Sequence, residues 1–230
     1  MKQLRILPFY ISLLTTFIVF SQQEKDTVKT KESYGIRVGI DISKPITTYF
    51  EPETKGIELI GDIRLKRNIY AAVELGFDEK TTEEDYLNFT TKGSYLKIGA
   101  NYNAYKNWVG MNNEIFIGIR YGMSFFEQTL NSYTPNVKGT YFIPDTVNPN
   151  TEFKDLTAQW VELIFGLKVE TFKNLYLGAS FSVKKMMNTK EPENFKNLYV
   201  PGFNRVFLND MGVGFNYTLS YLIPIVKKKK

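Results

Sequence analysis

The stretch EIFIGIRYGMSF, residues 114–125, alternates along an extended chain. Ile115, Ile117, Ile119, Tyr121, Met123 and Phe125 share one side, and Glu114, Gly118, Arg120, Gly122 and Ser124 share the other, with Phe116 the one apolar residue among them. A period of two predicts a β-strand with one apolar face. The same pattern recurs over residues 34–43, 57–66, 69–78, 94–103, 161–170, 175–184 and 211–223. Each stretch sets a row such as Ile36, Val38, Ile40 or Leu175, Leu177, Phe181 against glycine, serine, asparagine, tyrosine and charged residues.

Alternation alone does not say which face meets water. Strands of roughly ten residues suit a tilted membrane crossing, whereas soluble strands average about five or six. The apolar rows are almost free of charge, and glycine recurs on the polar rows. Large aliphatics at every inward position would overfill a small barrel, whereas inward glycines relieve crowding. The expected fold is all-β, an eight-stranded antiparallel up-and-down transmembrane β-barrel over residues 34–226. The alternative is a soluble sandwich or barrel with the faces reversed, binding an apolar ligand inside.

Connections support the first reading. Short turns are expected after the second, fourth and sixth strands, and long loops over 79–92, 129–155 and 186–210, with a shorter one at 50–55. Short turns at one end and long loops at the other is the rule for outer-membrane barrels.

The ends of the chain add export. Residues 1–21 place Lys2 and Arg5 before an apolar run from Ile6 to Phe20, closed by Ser21, the layout of a secretory signal peptide. Residues 22–33 read as a polar periplasmic lead-in, and 227–230 as a lysine tail. The formal charge of +5 includes Lys2, Arg5 and the four tail lysines, so the body without these six stands at −1. That balance argues against nucleic acid as a partner. Composition also removes chemistry: with no cysteine and no histidine, disulfides, thiolate nucleophiles, Cys/His zinc sites and Ser-His-Asp triads are excluded. No cofactor and no enzymatic activity are expected.

Signal sequence, eight amphipathic strands and alternating loop lengths together resemble the small eight-stranded outer-membrane barrels of Gram-negative bacteria, the OmpX/OmpA-barrel architecture. GMNNEIFIGIRYGMSF and LYLGASFSVK also resemble segments of uncharacterised bacterial outer-membrane barrel families. The resemblance covers nearly the whole chain. It implies an outer-membrane location, outer-membrane lipids and lipopolysaccharide as surroundings, and the barrel assembly machinery as a partner. Such barrels often end on Phe or Trp, whereas this chain continues past Tyr221 to Pro224 and four lysines. Small outer-membrane barrels that act on lipid A rely on a histidine, which is missing here.

Two residue sets are candidates for function. The polar faces carry Arg37, Arg64, Lys66, Lys97, Arg120, Lys168 and Lys184 against Asp41, Glu58, Asp62, Glu74, Glu114, Glu162 and Glu170. Seven cations facing seven carboxylates in a narrow lumen predict an ion-pair network that fills it. The longest loops carry Tyr133, Tyr141, Phe142, Phe153, Phe195, Tyr199, Phe203 and Phe207 among prolines, a possible binding surface for an extracellular ligand. The expected function is surface binding or envelope structure, with a narrow solute channel as the alternative.

Overall fold

A computed structural model describes residues 33–105, 113–135, 145–192 and 195–227. The signal peptide, nearly all of the lead-in, the last three lysines of the tail, Tyr141 and Phe142 lie outside these residues. The elements run β1 (Ser33–Asp41), α1 (Ser43–Phe50), β2 (Thr54–Lys66), β3 (Ile69–Glu84), β4 (Leu87–Asn103), β5 (Glu114–Tyr133), β6 (Thr151–Phe172), β7 (Leu175–Thr189), β8 (Tyr199–Val200), β9 (Asn204–Arg205) and β10 (Met211–Lys227). Eight strands close into a barrel in the ring order β1-β10-β7-β6-β5-β4-β3-β2, every neighbouring pair antiparallel. β8 and β9 form a separate two-stranded hairpin.

The apolar rows face outward. Ile119 is 56% exposed, and Leu59, Leu75, Ile98, Leu167, Leu177 and Tyr217 are exposed in the same way around the ring. Most of the charged residues of the polar rows face in and are buried. A soluble barrel with the apolar rows inside is therefore overturned: the lumen holds the buried ions, and the aliphatic rows of the strands are on the outside.

On β3 the outward apolar row runs from Ile69 to Phe77, about 20 Å along the barrel axis once strand tilt is allowed for. Aromatic rings border it, with Tyr102, Phe172 and Tyr221 toward the short-turn end and Phe77 and Phe125 toward the other. Just beyond, outward charges pair across neighbouring strands: Lys55 with Glu79 at 3.1 Å and Lys92 with Glu127 at 2.6 Å.

Three expectations about the connections are corrected. Residues 79–92 do not form a long loop, because β3 and β4 continue in register to Glu84↔Leu87 around a two-residue turn. Their outward residues there are polar, so no apolar row marks the strand, and Thr81 and Thr90 instead join hydroxyls across it at 2.9 Å. The region 129–155 likewise contributes strand up to Tyr133 and from Thr151. Between β1 and β2 the chain forms helix α1, which the period-two reading missed.

Inward glycines make slots for rings. A Cβ at Gly122 would overlap the Trp160 indole, and one at Gly166 would lie 2.5 Å from the Phe116 ring. Phe116, the apolar exception on its row, thereby fills space left by a neighbouring strand.

Candidate functional site

The lumen is crossed by three groups of ion pairs, built on cross-strand register. Arg37↔Asp62, Glu74↔Lys97, Glu114↔Lys168 and Glu162↔Lys184 are opposite neighbours, the arrangement in which opposite charges attract most directly on a sheet. Contacts across the lumen then tie the strands together. The Arg37 guanidinium lies 2.7 Å from Asp62 and 2.6 Å from Glu114, between the rings of Tyr70 and Tyr176. Lys168 also reaches Asp62. Further along the axis, Lys97 bridges Glu58 at 2.9 Å and Glu74 at 3.0 Å, and Arg120 donates to Glu74 at 3.0 Å. Glu162 accepts from the Trp160 indole at 2.7 Å and lies 3.6 Å from Lys184. The cavity remaining among these groups is about 30 Å³, room for one or two waters.

Four residues of the expected network stand elsewhere. Lys66 is exposed at the short-turn end, where a register shift turns it out of the lumen. Arg64 is at the same rim, donating to the carbonyl of Arg67 and stacking over Tyr70. Glu170 is half-buried and accepts from the Asn174 backbone at 2.9 Å, closing the β6–β7 turn. Asp41 is buried but forms no ion pair among the described residues: Oδ1 accepts the Ser43 N–H at 2.8 Å and its hydroxyl at 2.6 Å at the start of α1, and Oδ2 accepts from Asn216 at 2.6 Å.

The network gains two members that sequence reasoning missed. Asp78, buried on β3, holds Lys44 of α1 at 2.8 Å and accepts the Gly202 N–H at 3.0 Å. Lys184 donates to the Gly202 carbonyl at 2.7 Å. The β8–β9 hairpin is thus anchored by its tip inside the barrel. Gly202 sits at φ +78°, and a Cβ there would meet the Tyr95 ring at 2.5 Å, so the tip fits only without a side chain.

This changes the loop aromatics. Phe203 is fully buried, and with Val200 it packs among Tyr95, Phe126, Leu156, Ala158, Trp160 and Met186. Tyr199 is buried, Phe153 packs on this cluster, and Phe195 lies 5.6 Å from Phe89 and 6.1 Å from Phe153. Tyr133 and Phe207 are exposed. The expected single aromatic surface is therefore divided, because the hairpin folds inward where the apolar neighbours are.

Above the network, at the long-loop end, lies a vestibule of about 790 Å³, within the range of small-molecule sites. α1, β2, β3 and the β8–β9 hairpin wall it, and Glu58, Lys97 and Lys184 form its floor. Its lining carries five cationic and five carboxylate side chains.

Comparison with curated proteins finds no match. Among solved structures the chain is similar to Ail, the attachment invasion locus protein of Yersinia pestis, at 10% identity, over 84% of this chain and 99% of that one, with a TM-score of 0.40. A family model described as "Domain of unknown function (DUF6048)" matches residues 2–228, and the chain belongs to that family.

Proposed function

We propose that the chain spans the bacterial outer membrane as a closed barrel and binds a ligand in the vestibule at its extracellular end. The observation that carries this reading is the distribution of surface: aliphatic rows exposed on every side of the ring around a lumen of buried, paired ions. In water such a belt would be an apolar patch far beyond what a monomer exposes, whereas lipid removes that cost. Closure gives every barrel strand two hydrogen-bonded neighbours, as hydrocarbon requires. The belt faces outer-membrane lipids, and insertion would fall to the barrel assembly machinery. The crossed ion pairs and the small residual cavity favour a structural interior over a channel. Binding, rather than catalysis, suits a vestibule in a chain without histidine or cysteine.

Absence of native cysteine makes the orientation directly testable. Arg205→Cys places a thiol at the vestibule rim and Lys66→Cys places one at the short-turn end. A membrane-impermeant maleimide added to intact cells is expected to label the first, and the second only after the outer membrane is permeabilised. Equal labelling of both in intact cells would contradict a spanning barrel.

A further inference from the structure

The two ends of the barrel differ in charge. At the long-loop end exposed carboxylates gather, among them Glu51, Glu53, Glu83, Glu84, Asp85 and Asp210. Cations there stand beside carboxylates: Lys80 is 3.9 Å from Glu51, Lys185 3.7 Å from Asp210 and Arg205 3.6 Å from Glu84. At the short-turn end the β2–β3 connection carries Arg64, Lys66 and Arg67, and the β6–β7 connection carries Lys173. These connections lie on opposite sides of the ring. Lys66 and Lys173 are exposed and form no ion pair among the described residues. No carboxylate at this end is exposed among the described residues. Asp62 and Glu114 are buried in the lumen, and Glu170 is half-buried and accepts the Asn174 N–H. β10 ends here on Lys227, and Lys228, Lys229 and Lys230 follow it in the sequence.

Exposed cations without counter-charges repel one another, so an external anion stabilises this end. The position of the cations says which anion. Leu65, between Arg64 and Lys66, is 58% exposed on the belt, and Phe172, next to Lys173, is 73% exposed. A lysine one residue from a side chain in hydrocarbon reaches the head-group layer by laying its methylene stem along the apolar surface. Lipid phosphates already occupy that layer, whereas a soluble acidic partner would have to displace them. The register shift between Arg64 and Lys66, which turns Lys66 out of the lumen, sets its ammonium at this level.

We propose that the short-turn end is a cationic collar that gathers anionic phospholipids in the leaflet on its side, with Lys66 and Lys173 contacting their phosphates from opposite sides of the ring. The inference rests on the spanning barrel proposed above. The acidic far end offers no such surface, so the charge asymmetry also matches the direction in which the barrel sits.

The test uses the full chain in phosphatidylcholine nanodiscs, with a fluorophore on Asn68→Cys in the β2–β3 turn or on Ser94→Cys at the opposite edge of the belt. Traces of phosphatidylglycerol carrying a nitroxide near the head group serve as quencher, and phosphatidylcholine with the same nitroxide is the comparison. At Asn68→Cys the glycerol lipid is expected to be enriched about fivefold over the choline lipid, the effect of one cation near a charged surface. At Ser94→Cys no preference is expected. In about 1 M salt, where screening sets in beyond about 3 Å, the preference is expected to vanish. Adding Lys66→Gln to Asn68→Cys is expected to lower it at least twofold, and Thr171→Cys with and without Lys173→Gln repeats the measurement on the other side of the ring. Equal quenching by both lipids at the short-turn end, or a preference unchanged by Lys66→Gln, would overturn the inference while leaving the spanning barrel standing. Absence of quenching by either lipid at both Asn68→Cys and Ser94→Cys would overturn both.

Discussion

Replacing Arg37 with methionine is expected to destabilise the barrel by about 3–5 kcal/mol, the usual cost of removing one partner from a buried ion pair. Arg37 is 4% exposed and serves two carboxylates at once, Asp62 on the neighbouring strand and Glu114 across the lumen. Without it Asp62 keeps Lys168, but Glu114 loses its only ion-pair contact among the described residues. Most of the loss is therefore the stranded Glu114 charge, and Arg37→Met/Glu114→Gln is expected to recover a large part of it. Urea unfolding of the three proteins in lipid vesicles measures both differences. A single variant as stable as the original would mean that the lumen charges are hydrated rather than paired.

The second large effect belongs to the outer face. Ile119→Arg puts a cation in the middle of the belt, where arginine on the lipid side of a barrel costs about 2–4 kcal/mol. Ser94→Arg, on the outer face just beyond Leu96, is expected to cost about 0–1 kcal/mol near the interface. This depth dependence is peculiar to a bilayer. Folding yield and unfolding midpoint in vesicles should fall for the first variant and change little for the second; equal, small effects would mean that water already covers Ile119.

The barrel was legible because every strand keeps one apolar row outside and one polar row inside, a period of two that repeats along the chain. Where that demand stops, so does the signal. β3, β4, β5 and β6 run past the belt, and their outward residues there, such as Glu79, Thr81 and Lys92, are polar like a loop. The inward charges were legible as a set, since each stands opposite an apolar row, but register and reach decide the partners. Lys66 left the lumen through a local shift near a turn, and Asp41 turned to the Ser43 N–H at the start of α1. Asp78 and Lys44 entered the network because a helix and a distant hairpin meet there, which no local pattern encodes. α1 carried faint signals in Ser43 and Pro45 near its start, overridden by β-branched Ile46, Thr47 and Thr48. Phe203 looked like a loop aromatic because its neighbours Tyr95 and Trp160 are remote in sequence. The vestibule depends on all of these and was not visible beforehand.

The central claim is that the apolar rows face lipid around a closed ladder. It is tested most directly by electrophoresis of the outer-membrane fraction in detergent, with and without boiling. A closed barrel retains its strand ladder unboiled and should migrate differently from the boiled chain, in the membrane fraction alone. A chain recovered in the soluble fraction, migrating identically in both lanes, would contradict the account.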